Sequence, residues 1–283
     1  MINYADVIKD YWTNGYAVIP NFLSPEQVEI VMDETYKIID DIDLNGPKNL
    51  YRSGKQEETN DYFFKSCTNI SHFFEETAFD SDGNLVVPKR QCLHKIGFYL
   101  HAIDPIFKFV TMDGRIKTLF REAGFVEPHF VESLVNFKHA RIGTTIPAHQ
   151  DATFLYTEPQ IKLMGFWIPL EDATLENGCL WFIPGSHNEP VRRRWIRNKE
   201  GQEPRMIFTC PEIKYDESKF VPVPVPKGSL VLIHGQVVHK SEPNRSNKSR
   251  PALTFHAYDA HQTSWSTENW IRPTKEAPFI KVY

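Results

Sequence analysis

Disulfide chemistry has little to work with in this chain. It holds four cysteines, Cys67, Cys92, Cys179 and Cys210, and no two stand as Cys-x-x-Cys. Such spacing fits neither a disulfide framework nor a zinc knuckle. It reads as free thiols in a reducing compartment, with the cytoplasm expected. Long apolar runs are missing too, since none approaches the ~20 residues that span a bilayer. The start, Met1-Ile2-Asn3-Tyr4-Ala5-Asp6, shows neither a basic leader nor an apolar segment, so no secretory signal is expected. The end, Ile280-Lys281-Val282-Tyr283, is unlike the Ser-Lys-Leu peroxisomal address. An excess of one charge is also lacking: 32 basic residues meet 36 acidic ones, for a net charge of -4. That balance argues against a nucleic-acid or membrane partner. There is no internal repeat.

What is present suffices for one large domain, at 283 residues and 41% hydrophobic content. Residues 4–14 read as a short helix that stops at Asn14-Gly15, and 16–20 as a short strand. Ser24-Pro25-Glu26 then opens a second helix, with serine as cap and proline in the first turn. Val28, Met32, Tyr36 and Ile39 give it an apolar stripe. Residues 43–90 are polar and irregular, with 62–65 as the best candidate for a short strand. Residues 104–124 predict helix in two pieces. From about 127 the pattern turns to strands, at 131–138, 162–170, 179–183, 229–233 and 252–258, separated by turn residues such as Glu176-Asn177-Gly178 and Pro184-Gly185-Ser186. Many short strands with regular turns predict a sandwich or barrel. The alternating prolines of 221–226 predict an extended edge rather than a central strand.

Chemistry concentrates in His149-Gln150-Asp151, answered far downstream by His239 and then Arg250. Strand side chains alternate with period two, so His-x-Asp places two ligands on one face. A lone histidine from a second strand completes two imidazoles and a carboxylate, the facial triad of non-haem Fe(II) oxygenases, with open positions opposite. His-x-Asp alone is common; the downstream residues give it weight. His239 and Ser241 share one strand face, and Arg250 opens the next strand. The planar fork of an arginine suits a carboxylate, and Ser241 can donate to the same group. A 2-oxo acid chelating the metal would then have its far end held.

These residues, with Lys95-Ile96-Gly97, the run from His149 to Pro159 and the run from Glu171 to His187, resemble the phytanoyl-CoA dioxygenase family of Fe(II)/2-oxoglutarate oxygenases. The resemblance covers nearly the whole chain. It implies a mainly β double-stranded β-helix, a cupin-like jelly roll, in a single domain of residues 1–283. Helices within 1–42 and an insert at 43–90 would pack on a core running from about 91 to 283. It implies Fe(II) held by His149, Asp151 and His239. It implies 2-oxoglutarate held by Ser241 and Arg250, with Lys95, Leu134, Gln150 and Trp167 lining its pocket. No catalytic side chain beyond the metal centre is implied. A carboxylate at 151, where halogenating relatives carry a small residue, favours hydroxylation of a small-molecule substrate with release of succinate and CO2. Dioxygen is the other reactant, and a monomer is expected.

Two rivals stand beside this reading. One is a non-catalytic binding member of the same fold that keeps its metal site. The other is a cupin-like zinc or manganese isomerase or hydrolase, against which Arg250 argues. His187, His234 and His256 read as structural or pocket residues, and Trp181 and Phe182 as core. Arg192, Arg193, Arg194, Arg197 and Lys199 form the one basic cluster, either a solvated loop or a grip for an anionic substrate.

Overall fold

A computed structural model describes residues 2–46, 48–51 and 59–283; part of the 43–90 insert, residue 47 and residues 52–58, lies outside it. The first helix, Tyr4–Asn14, and the second, Pro25–Asp40, form where their caps place them. Gln27 N–H donates to Ser24 Oγ at 3.2 Å, and Ser24 N–H donates to Gln27 Oε1 at 2.9 Å, a reciprocal capping box. Val28, Val31, Thr35 and Ile39 are the buried positions of this second helix, with Met32 and Tyr36 half-buried beside them. Helices Pro105–Thr111 and Gly114–Glu122 are the two pieces expected from 104–124.

Residues 62–65 are not a strand. Asn60 accepts a hydrogen bond from Phe63 N–H at 2.9 Å and nucleates the helix Asp61–Lys65. The strand of this region is instead Ile70–Glu75, whose alternation was hidden by three consecutive buried residues, Phe73, Phe74 and Glu75.

Among the described residues, a nine-stranded sheet runs in the order Tyr16–Ile19, Leu230–His234, Leu163–Pro169, Ala252–Asp259, Pro128–Asn136, Leu93–Phe98, Ile70–Glu75, Leu50–Tyr51, with Ile280–Lys281 paired to Pro128–Asn136. A four-stranded sheet, Val221–Val223, Leu180–Phe182, His239–Ser241, Ile146–His149, faces it. The proline-bearing Val221–Val223 is an edge strand, because proline offers no ladder donor. The large sheet is covered on both faces, which is why its central strands are buried at every position. Phe166, Ile168, Leu232, Leu253 and Phe255 turn outward against the helices. Phe166 and Phe255 are cross-strand partners with stacked rings 4.8 Å apart, and each side chain so buried contributes ~1.5–3 kcal/mol. Trp167, Val231, Ile233 and Ala252 turn inward and pack against Leu180 and Phe182 of the small sheet. The result is a cupin-like jelly roll. No helix among the described residues is long and apolar enough to cross a membrane.

Candidate metal centre

The Ile146–His149 strand ends on His149, and Asp151 opens a short 3-10 turn, Asp151–Thr153. The two residues therefore do not share one strand, as the spacing predicts. Gln150 between them is still extended (φ -108°, ψ 135°), so alternation persists for one more residue and both side chains reach the same side. His239 begins its own strand directly opposite His149.

The three groups converge. Asp151 Oδ1 lies 3.4 Å from His149 Nε2 and 3.6 Å from His239 Nε2. Each of the two histidines is oriented by its other nitrogen, His149 Nδ1 donating to Pro147 O at 2.8 Å and His239 Nδ1 to Val237 O at 3.1 Å. That leaves both Nε2 lone pairs facing Asp151. Burial, with the neighbouring His149, outweighs Asp151 and pushes His239 down to about 4, so it is a neutral imidazole. Burial alone would raise the Asp151 carboxyl. His239 and His256 nearby, with the hydrogen bond from His256, override it and hold the group well below the usual carboxylate range. Two imidazoles and an ionised carboxylate are a donor set that could hold a divalent ion. The three donor atoms lie within 4.8 Å of one another, whereas adjacent ligands at ~2.1 Å from one ion stand about 3 Å apart, so the groups would draw inward to share an ion. Among the described residues, no other group of three or more such side chains is placed to share an ion.

Arg250 lies two residues before the Ala252–Asp259 strand and is 1% exposed. Its Cζ stands 5.2 Å from the ring of Trp167. Neither Nε nor Nη1 has a partner. Burial pulls its pKa down only to about 10, so it stays charged. A buried cation with open donors is a receptor for an anion. Thr254, next along this inward face, likewise has a buried hydroxyl without a partner and sits in register with Trp167 and Leu134.

The other expected site residues divide. Leu134 and Trp167 face inward between Arg250 and the triad. Lys95 is buried, its Nζ 5.2 Å from the rings of both Phe73 and Phe98. Ser241 is fully buried, but its hydroxyl donates to Gly178 O at 2.8 Å. Gln150 turns away from the triad: its amide donates to Gln236 O at 2.8 Å and its Oε1 accepts from Arg192 N–H at 3.4 Å. Gln150 therefore fastens the loop beside the site.

Arg193, Arg194 and Arg197 of the basic cluster are half-buried and engaged by neighbours, while Arg192 and Lys199 are exposed. Arg192 pairs with Glu189 at 3.2 Å and Arg194 with Glu268 at 2.8 Å. Arg193 stacks 3.5 Å over Phe208 and donates to Cys210 O, while Arg197 stacks over Phe64 and donates to the Asn269 and Trp270 carbonyls. These side chains clasp the hairpin Trp195–Arg197/Met206–Phe208 to its surroundings. The inner face of that hairpin presents Trp195 to Phe154, and Phe154 in turn packs on His149. His187 Nε2 donates to the main-chain Trp12 O at 3.0 Å, away from the triad; His234 packs among Tyr11, Trp12 and His187.

Sequence reasoning gave Glu132 no role and placed His256 only as a core or pocket residue. Their register, Glu132 opposite His256 opposite Gly165, exists only once the three strands pair.

A jelly roll with a His-Asp-His face and a buried, unpaired arginine on the same inner wall has the scaffold of the non-haem iron, 2-oxo-acid-dependent oxygenases. More narrowly, the chain belongs to the phytanoyl-CoA dioxygenase family, whose profile matches residues 11–252. Phytanoyl-CoA dioxygenase domain-containing protein 1 of Bos taurus is 44% identical over 282 residues, covering 98% of this chain and 97% of that protein. The protein of the same name from Danio rerio is 42% identical over the same shares. Among solved structures, the epimerase SnoN in complex with Fe3+, alpha ketoglutarate and nogalamycin RO superposes with a TM-score of 0.64, at 14% identity, over 99% of this chain and 98% of that one. That likeness is one of fold.

Proposed function

We propose that the protein is an Fe(II)- and 2-oxoglutarate-dependent dioxygenase that hydroxylates a small molecule and releases succinate and CO2. The observation that carries this reading is Arg250, a buried guanidinium with two nitrogens unpaired, on the same inner face as the His149–Asp151–His239 group. When bound, Fe(II) would supply the positions at which dioxygen and the 2-oxo acid meet. The chain's own part is to place and shield the reactants. Arg250 takes the distal carboxylate of 2-oxoglutarate in its fork. Trp167 and Leu134 wall the carbon chain, and the Thr254 hydroxyl stands ready as a further donor. Lys95 places a second cation in the interior. Phe154 and Trp195 give the mouth an apolar wall, which excludes water from the reacting carbon and favours a substrate with an apolar body. Since the arginines of the rim are committed to carbonyls, rings and carboxylates, an anionic substrate finds few open forks there.

The reading assumes a monomer in the cytoplasm; four free cysteines, three of them buried, support a reducing compartment. Its test is calorimetric binding of Fe(II) and then 2-oxoglutarate without oxygen, followed by succinate release in air. Tight binding with no succinate, alone or with a broad metabolite mixture, would identify a binding protein on an oxygenase scaffold instead.

A further inference from the structure

Asp151 is held from behind. His256 Nε2 donates to Asp151 Oδ2 at 3.1 Å, while His256 Nδ1 lies 2.9 Å from Glu132 Oε1. All three side chains are buried, with residue exposures of 8% for Asp151, 5% for His256 and 6% for Glu132. Gly165 completes the arrangement. A Cβ there would stand 2.9 Å from His256 Cδ2 and Nε2 and 3.4 Å from Asp151 Oδ2. The missing side chain is the space in which imidazole and carboxylate meet. The two carboxylate oxygens thus have separate tasks: Oδ2 is tied back to His256, and Oδ1 faces the Nε2 atoms of His149 and His239.

We propose that Glu132 and His256 are positioning residues that keep Asp151 a one-oxygen ligand, so that its second oxygen cannot occupy a metal position needed by the 2-oxo acid. This rests on the iron-binding reading above. Carboxylates bind metal ions through one oxygen or two. Three single-atom protein ligands would leave three positions of an octahedral ion; a two-oxygen Asp151 would take one that the chelate needs, so that a 2-oxo acid would have to displace Oδ2 and would bind more weakly. Partners that orient a ligand commonly matter by 10–100-fold in affinity or activity, roughly, when removed. His256 acts through Asp151.

The test compares the parent with His256→Leu, His256→Gln and Glu132→Leu, each loaded with Fe(II) in the absence of oxygen. The readouts are the affinity for 2-oxoglutarate and the visible absorption of the iron(II)–2-oxo acid chelate. In His256→Leu the affinity is expected to fall about 10–100-fold and the absorption to weaken or shift. His256→Gln keeps a donor for Oδ2 and should stay within about threefold of the parent, with Glu132→Leu between the two. If His256→Leu does not fold, the Gln and Glu132 variants still read the effect. His256→Leu with parental affinity and absorption overturns the proposal. So does His256→Gln impaired as deeply as His256→Leu, since the hydrogen bond would then not be the cause. A parent that gives no chelate absorption overturns the iron and 2-oxoglutarate reading itself.

Discussion

Replacing Arg250 with methionine is expected to stabilise the ligand-free protein while removing its response to 2-oxoglutarate. The guanidinium is 1% exposed and its Nε and Nη1 lack partners. Each buried donor left unsatisfied costs ~1–3 kcal/mol. Against this stands the contact with Trp167, at 5.2 Å from the ring centre, worth ~0.5–2 kcal/mol. Methionine retains an apolar stem of similar reach, and the Arg250 N–H bond to Lys138 O, 2.9 Å, is a main-chain bond that survives. The net gain should be ~1–3 kcal/mol, which for a chain of this size raises Tm by roughly 2–10 °C. The parent should gain ~2.7 kcal/mol from 2-oxoglutarate at a hundred times its Kd, and the variant nothing. Thermal melts of Fe(II)-loaded protein under nitrogen, with and without 2-oxoglutarate, measure both effects. A variant that melts lower than the parent and still responds to 2-oxoglutarate would refute the reasoning: Arg250 would then be a structural cation whose partners are internal.

Other outcomes follow from the same geometry. Asp151→Ala should abolish Fe(II)-dependent succinate release and the Fe(II)-induced rise in melting temperature while circular dichroism stays parental; retained turnover would remove Asp151 from the ligand set. His101 is buried against Ser133, and burial lowers its pKa from 6.5 to about 3. The unfolded chain therefore binds this proton first as pH falls below 6.5, so the contribution is present above that pH and is lost on acidification, by ~1.4 kcal/mol per pH unit. Urea unfolding at pH 6.5 and 5 should show the loss, and His101→Gln should show a shallower one; equal slopes would contradict it. Changing Arg192, Arg193 and Arg194 together to glutamine should lower stability by ~1–3 kcal/mol through lost stacking and pairing, with no salt-dependent defect in substrate use. Unchanged stability with slow turnover at low salt alone would restore the cluster as an anion guide. Gly178 has φ +86°, and a Cβ would stand 2.5 Å from Glu242 O. Gly178→Ala should therefore cost more than ~1 kcal/mol in urea unfolding, and a neutral result would mean the 242 loop yields freely.

Much of this could be read before any coordinates. The capping residues of 24–27 and the turn glycines act locally, so helix and strand positions followed from neighbours in sequence. His149, Asp151, His239 and Arg250 stood out because a His-x-Asp spacing answered by a lone downstream histidine and arginine is a pattern of donors that the resembling family shares. What escaped was whatever depends on pairing. Residues 62–65 look like a strand by composition, yet Asn60 caps them into a helix. Glu132 and His256 are unremarkable in their own segments and meet only through strand register. Gln150 shares the motif of the ligands but, one residue out of phase, points the other way. The arginines of 192–197 read as a charged run, and only tertiary contacts supply the rings and carbonyls that absorb them.

The place of His149 at the edge of the small sheet has a consequence for how the protein opens. Ile146–His149 is bonded on one side only, to His239–Ser241. An ion shared by His149 and His239 would tether that margin to its neighbour and join positions ninety residues apart in the chain. Amide exchange in 146–149 would then report metal occupancy: rapid in the empty protein and slow in the loaded one, while the central strands, covered on both faces, remain protected in either state.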